Sequence, residues 1–369
     1  MSQKDESKLK SFWENIRFPL LAILISFIIG AVFIIFAGEN PLVAYGELLS
    51  GSLGSPSRIG ETLLKTTPLI FTGLAVSFAF RTGLFNIGAE GQYVIGAVTT
   101  VAAGYFFSDL PTIILIPLVM IVGALGGGLW AGIAGFLKAK LGIHEVITTI
   151  MLNYTSLQVS NYLARTALNP STLQDSVNKA HTVILPEKSQ LTMLKDWFPF
   201  FGHSSVHTGI FLAIVCAYIA YFILYKTTLG YEIRSVGHSP LAAEYGGISV
   251  FKNIFLSMLI SGSFAGLAGA TQIAGLTHKV DMASASPGYG FTGIAVALVG
   301  KNHPLGVIVS ALLFGILANG ERKMQIAGIP KEVVGIIQGI IILFIAGQEI
   351  VKYIAKLRKD KTTQEGEVL

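Results

Sequence analysis

From Phe18 to Ala37 the chain runs without a single charged side chain, and a stretch of that kind ties the fold to a bilayer. At 1.5 Å per residue, a helix of this length crosses the roughly 30 Å of a membrane's hydrocarbon core. It exceeds the apolar region of a cleaved signal peptide, about 7–15 residues. It therefore reads as a first spanning helix behind a polar tail, residues 1–17. Further apolar stretches follow at about 62–80, 91–107, 111–137, 144–165, 208–225, 252–274, 287–300, 304–320 and 332–352. The shortest, 287–300, reads as a broken or re-entrant segment. Composition agrees: 13% of residues are charged, against about 25% in soluble domains. The expected fold is an all-α integral membrane protein of about ten transmembrane helices. One membrane domain would fill 18–352, with a closing tail at 353–369.

The net charge of +5 has two readings, nucleic acid or membrane topology. Topology accounts for it better, because lysine and arginine gather in cytoplasmic loops. Sixteen of the 26 basic residues fall in loops that this layout puts inside. Both termini are then expected in the cytoplasm, with an internal loop at 226–251 and an external loop at 166–207. That external loop holds His181, His203 and His207 without ligand spacing, so no metal site is expected. It reads as a docking surface for an external binding protein or as a plain connector. Cys216 is the only cysteine and excludes an intrachain disulfide.

Between Gly73 and Thr99 an apolar stretch is interrupted by Arg81, Asn86, Glu90 and Gln92, with glycines at Gly83, Gly88 and Gly91. Each glycine costs a helix about 1 kcal/mol against alanine, so a break is expected here. It is either a short cytosolic turn or a broken segment beside a solute path, since polar groups at membrane depth mark function. Gly88 and Gly91 are expected to sit in close contact or at positive φ, and Glu90 to hold backbone amides or Arg81. Glu145, Thr149, Asn153, Ser156 and Ser160 step along one face of the fifth stretch. Such a stripe glues helices together or lines a path for a neutral hydroxylated solute. The candidate path residues are Asn86, Glu90, Gln92, Thr149 and Asn153.

In the loop 226–251, Ser239 is a good N-cap and Pro240 suits the first helical position. A short helix should therefore run to about Tyr245 and stop at Gly246-Gly247. Its alanines permit close approach to a partner, and Arg234 and Glu244 offer charges that could orient it. Gly123-x-x-x-Gly127, Gly128-x-x-x-Gly132 and Gly262-x-x-x-Gly266 are packing signals. A weak echo links Gly73-Leu-Ala-Val with Gly293-Ile-Ala-Val. No G-x-x-x-x-G-K-[ST] occurs, so the chain has no P-loop with which to hydrolyse ATP.

Two of these stretches carry a resemblance. Phe85-Asn-Ile-Gly-Ala-Glu-Gly-Gln92 is similar to permease subunits of bacterial ABC importers, in the branch with ribose, branched-chain amino acid and nucleoside transporters. Within that branch it is most similar to permeases for guanosine and other purine nucleosides. The loop from Leu229 to Ile248 resembles the same branch through Gly230, Arg234, Val236, Gly237, Ala242, Ala243, Gly247 and Ile248. The resemblance implies a coupling helix that fits a groove in an ATPase subunit. Gly230, Arg234, Gly237, Ala242, Ala243, Glu244 and Gly247 are the coupling candidates. It further implies three partners: an ABC ATPase that holds ATP and Mg, a related second permease in a heterodimer, and an extracytoplasmic substrate-binding lipoprotein. No cofactor on this chain and no nucleic acid are expected, and the location would be a bacterial cytoplasmic membrane. Ribose or another simple sugar is the alternative substrate. A transporter driven by an ion gradient is the alternative class, with Glu90 and Glu145 as its candidate carboxylates.

Overall fold

The computed structural model describes residues 21–345 and 347, apart from 175–176, 283 and 331. The tails expected at 1–17 and 353–369, and the outer ends of the first and last expected spans, lie outside the described residues. Helices occur at all ten expected positions. They are α1 (Leu21–Phe36), α3 (Pro56–Phe80), α4 (Ala89–Phe106), α5 (Thr112–Leu141), α6 (Glu145–Arg165), α8 (Gly209–Lys226), α11 (Val250–Gln272), α12 (Tyr289–Val299), α13 (Pro304–Ile326) and α14 (Glu332–Ile345). Additional helices are α2 (Pro41–Leu53), the one-turn α7 (Pro170–Leu173), α9 (Thr228–His238) and α10 (Pro240–Tyr245). Among the described residues the β-structure is limited to two isolated bridges, His181 with Asp281 and Met193 with His207.

The helices are of unequal length, and the short stretch expected at 287–300 is the 11-residue α12. Five helices are long and apolar enough to cross a membrane alone, namely α3, α5, α8, α13 and α11 with its extension to Thr277; the bent pair α1–α2 makes a sixth. α2 occupies what looked like a loop. Gly38 at φ 84° ends α1, the Asn40 side chain accepts the Leu42 N–H at 2.9 Å, and Pro41 opens the new helix, which turns away at 116°. The cap and the proline were both visible in Gly38-Glu-Asn-Pro41.

The chain divides into two compact units, residues 1–51 with 320–369 and residues 52–319. In the first, the Tyr45 hydroxyl donates to the Phe27 carbonyl at 2.5 Å. Lys323 pairs with Glu47 at 2.7 Å and bonds the Ser50 hydroxyl.

The second unit is built around α3, α4, α5 and α11. A Cβ on Gly127 would stand 2.5 Å from the Gly262 carbonyl, one on Gly266 2.3 Å from the Gly123 carbonyl, and one on Gly96 2.5 Å from Gly266. The small-residue motifs thus bring α4, α5 and α11 together backbone to backbone, as expected of them. The opposite face of α5 exposes Ile114, Ile121, Leu125, Leu129, Ile133 and Phe136. An apolar stripe of this length is stable against lipid and unfavourable against water. The two segments of the sequence echo lie against each other: a Cβ on Gly73 would meet Val296 at 2.7 Å, and one on Gly293 would meet Thr72 at 2.6 Å. Beyond Gln272, α11 widens into a π-helical turn, Ile273–Thr277, and ends at His278 in the left-handed region, φ 56°.

Candidate functional site

The break expected between Gly73 and Thr99 is real, eight residues from Arg81 to Gly88 between α3 and α4. It is not a solvated turn, because Asn86, Glu90 and Gln92 are all buried to within 2% of full enclosure. Positive φ falls on Gly83, at 76°. Gly88 and Gly91 are instead positions of close approach. A Cβ on Gly88 would sit 2.9 Å from the Thr149 Cβ, and one on Gly91 2.8 Å from the Asn153 side-chain oxygen.

Four side chains, those of Asn86, Gln92, Ser261 and Asn153, knit the break together. Asn86 Nδ2 donates to Gln92 Oε1 at 2.9 Å and to Ser261 Oγ at 2.8 Å; its Oδ1 accepts from Gln92 Nε2 and the Gly88 N–H, each at 2.9 Å. Every donor and acceptor of the Asn86 amide is thereby used. Asn153, on α6, brackets the same segment: its Oδ1 accepts the Gly91 N–H at 2.8 Å, and its Nδ2 donates to the Ile87 carbonyl at 3.0 Å. Thr149 turns its hydroxyl onto its own helix, donating to the Glu145 carbonyl at 2.8 Å. The polar stripe of α6 therefore faces the start of α4. Asn153→Leu removes both bonds and strands a buried N–H and a carbonyl, at about 1–3 kcal/mol for each group. Its expected effect is a lowered melting temperature of the purified protein together with reduced transport; unchanged melting would mean that the bracket contributes nothing.

Glu90 reaches furthest along the chain. Its Oε1 accepts from the Ser286 hydroxyl and the Gly288 N–H, each at 2.7 Å, and its Oε2 accepts the Gly290 N–H at 2.6 Å. A carboxylate in the first turn of a helix also faces the positive end of the helix dipole. The expectation of backbone amides is met, while Arg81 lies elsewhere. Its guanidinium donates to the carbonyls of Asn302 at 2.9 Å and Lys301 at 3.3 Å. Those two residues stand consecutively in the left-handed region, φ 54° for Lys301 and 51° for Asn302, a conformation non-glycine residues adopt at a cost of about 1–3 kcal/mol each. Glu145 is bound to Lys138 at 2.8 Å.

The loop after α8 forms as its caps dictate. Thr227 Oγ accepts the Gly230 N–H at 3.1 Å to start α9, and Ser239 Oγ accepts the Ala242 N–H at 3.3 Å to start α10. Gly247, at φ 81°, closes α10. Gly230 and Gly237 mark contacts that exclude a side chain, 2.0 Å from the Ile223 carbonyl and 2.2 Å from the Arg81 carbonyl respectively. α9 is thus pressed onto the break itself. Arg234 sits over the Tyr225 ring at 5.2 Å; Arg81 lies over the same ring at 5.7 Å, and His303 stacks on it at 5.3 Å. Burial, and then the Arg81 charge, hold the His303 pKa below its ordinary value, which keeps that stack neutral on the imidazole side. On α10 the alanines divide: Ala242 and Glu244 are exposed, whereas Ala243 is buried at 5% against Val236, Ile254 and Met258. The faces offered outward are those of Leu241, 80% exposed, and Tyr245, 95% exposed.

The segment 166–207 is more than a connector. Leu185 and Leu191 donate to the carbonyls of His278 at 2.6 Å and Ala274 at 2.8 Å, and Thr182 donates to that of Val280 at 3.0 Å. His207 is buried against Gly275, where a Cβ would come within 2.2 Å of the ring. Burial, reinforced by His278, lowers the His207 pKa to about 4. The loop is therefore clamped onto the π-turn. Beneath it lies a cavity of about 220 Å³ lined by Lys65, Tyr93, Gln272, Thr277, Asp281 and Tyr289 among others. None of the five residues singled out as path candidates lines it.

Buried polar networks among apolar helices, close small-residue packing and several helices long enough to cross a bilayer are the features of a multi-pass membrane protein. The chain belongs to the family described as the permease component of the branched-chain amino acid transport system, which matches residues 58–346. It is 43% identical to the guanosine ABC transporter permease protein NupP of Bacillus subtilis (strain 168), over 92% of this chain and 96% of that one. It is 39% identical to the nucleoside ABC transporter permease protein NupB of Lactococcus lactis subsp. cremoris (strain MG1363), over 90% and 91% of the two chains. Against the glucose ABC transporter permease protein TsgB13 of Haloferax volcanii the figure is 34%, over 95% and 92%.

Proposed function

We propose that this chain is the membrane subunit of an ABC importer for nucleosides, working with a second permease subunit, an ATPase and an external binding lipoprotein. The observation that carries this reading is the 43% identity with a guanosine permease over 92% of the chain. α9 and α10 are the coupling element. ATP and Mg are held by the partner ATPase, and this chain binds no cofactor of its own. Gly230 and Gly237 seat α9, Arg234 ties it to Tyr225, and Ala243 anchors α10 from within. Ala242 and Glu244 share the exposed surface with Leu241 and Tyr245, and Gly247 ends the helix. Asn86, Glu90, Gln92, Thr149 and Asn153 act beside the path by holding its broken segment in one shape.

The carboxylates required by an ion-driven transporter are otherwise engaged, Glu90 by three donors and Glu145 by Lys138. A sugar remains the second reading, favoured by the 34% identity with a glucose permease. Cells that depend on this chain should take up labelled guanosine, with unlabelled nucleosides competing and excess glucose or ribose not competing; the reverse order of competition selects the sugar.

The surface of α10 gives a separate test. Leu241→Asp leaves the fold intact, because the side chain is 80% exposed, and should weaken co-purification of the ATPase and cut uptake by about tenfold or more. Ala243→Arg acts differently. Forcing a long charged chain into a buried site destabilises the protein, so it should lower melting as well as uptake. Full ATPase recovery with Leu241→Asp would move the coupling surface elsewhere.

A further inference from the structure

We infer that the cavity between Tyr93, Gln272 and Tyr289 is a binding site for the base of a nucleoside, contained within this one permease subunit. The inference rests on the nucleoside reading above and adds to it where the solute is held. The two tyrosine rings stand 5.9 Å apart between centroids, are inclined at 56°, and both line the cavity, where they offer aromatic surface. A flat heterocycle stacks on such faces with about 1–3 kcal/mol per base. The cavity of about 220 Å³ is smaller than the roughly 300–1,000 Å³ of pockets for drug-sized ligands. It has room for a single ring system, with a sugar left in the mouth.

The polar groups that converge there have no other work. Among the described residues, no hydrogen bond reaches the Gln272 amide, the hydroxyls of Tyr93 and Tyr289, or the Lys65 amine, although Gln272 is only 8% and Tyr93 only 4% exposed. The Gln272 amide is not sealed in the core but opens into the cavity, where a ligand can take the place of water as its partner. Asn86 and Asn153, in the same unit, both have partners on the oxygen and the nitrogen of the amide, which sets them apart from Gln272. A side-chain amide with both a donor and an acceptor free matches the edge of a nucleobase, as glutamine does with adenine. Lys279 and Asp281 pair with each other at 3.1 Å, which leaves the Lys65 amine in the lining as a donor for a base oxygen or ring nitrogen, as lysine serves for guanine.

The walls are held in place from two sides. Glu90 fixes Ser286, Gly288 and Gly290, the residues around Tyr289. The π-turn that follows Gln272 and brings Ile273 and Thr277 into the wall is propped by His207 against Gly275 and by the Leu191–Ala274 hydrogen bond. π-Turns inside α-helices occur frequently at functional sites, and a site on a supported backbone is preorganised for its ligand.

The test uses the chain purified with its permease and ATPase partners, without the external binding protein, and titrated with radiolabelled guanosine. Saturable binding is expected, displaced by free guanine and unaffected by ribose. Gln272→Leu and Tyr289→Ala should each weaken it about tenfold or more while the ATPase still co-purifies. Should either variant fail to assemble, the displacement pattern on the unaltered complex decides by itself. Displacement by ribose and not by guanine overturns the inference, as does unchanged affinity in an assembled Gln272→Leu complex. Absence of saturable binding in a complex that imports guanosine when supplied with its binding protein overturns the site and leaves the nucleoside reading standing. A complex that imports no nucleoside under either condition removes both.

Discussion

Glu90→Ala should sharply lower the yield and melting temperature of the protein. The carboxylate is 2% exposed and accepts from the Ser286 hydroxyl and the amides of Gly288 and Gly290. Alanine strands the buried Gly290 amide and leaves the half-buried Gly288 amide without its partner, at about 1–3 kcal/mol each and more for bonds to a charged group, while the exposed Ser286 hydroxyl turns to water. Even the lower figure, about 2 kcal/mol in sum, is a sizeable fraction of the roughly 5–15 kcal/mol that holds a typical domain together. Glu90→Gln separates charge from shape. Donors face both oxygens, so one of them must meet the new NH2 group, and an intermediate loss is expected. Melting of purified Glu90→Ala within a degree of the unaltered protein would contradict the role assigned to the clamp.

Gly237→Val is expected to disconnect transport from ATP hydrolysis. A Cβ there would lie 2.2 Å from the Arg81 carbonyl oxygen and 3.0 Å from its carbon, so α9 and the break must move apart. Backbone atoms cannot give way as a flexible side-chain tip can. The exposed face of α10, with Leu241 and Tyr245, is left unaltered, so the ATPase should still bind. Uptake should fall at least about tenfold, and ATP hydrolysis should no longer rise with solute. Normal solute-stimulated hydrolysis in the Gly237→Val complex would mean that the contact between α9 and Arg81 transmits nothing.

Local rules made much of this legible in advance. Ser239-Pro240 and Gly246-Gly247 defined α10 to the residue, because caps act within one turn. The glycine motifs of α5 and α11 declared close packing, because small residues in a membrane helix have few other uses. What the sequence hid lies in contacts between distant segments. Ser286, Gly288 and Gly290 look like the fringe of an apolar stretch until Glu90, some 200 positions earlier, is brought onto them. Their one signal was the cluster Ser286-Pro-Gly-Tyr-Gly290 at the head of a segment too short to span. Ala243 seemed free to meet a partner and faces its own core, because the side a six-residue helix buries depends on what it lands on. The cavity was invisible for the same reason: Tyr93 and Gln272 lie on helices whose pattern is apolar nearly all round, and only packing shows which side chains are left unpaired.

The most direct test of the account is guanosine uptake by proteoliposomes that contain this chain with its permease, ATPase and binding-protein partners. Uptake should require ATP and Mg on the ATPase side, stop when the ATPase is inactivated, and proceed unchanged when an ionophore collapses the proton gradient at constant ATP. Uptake that vanishes with the gradient while ATP is maintained would contradict the assignment.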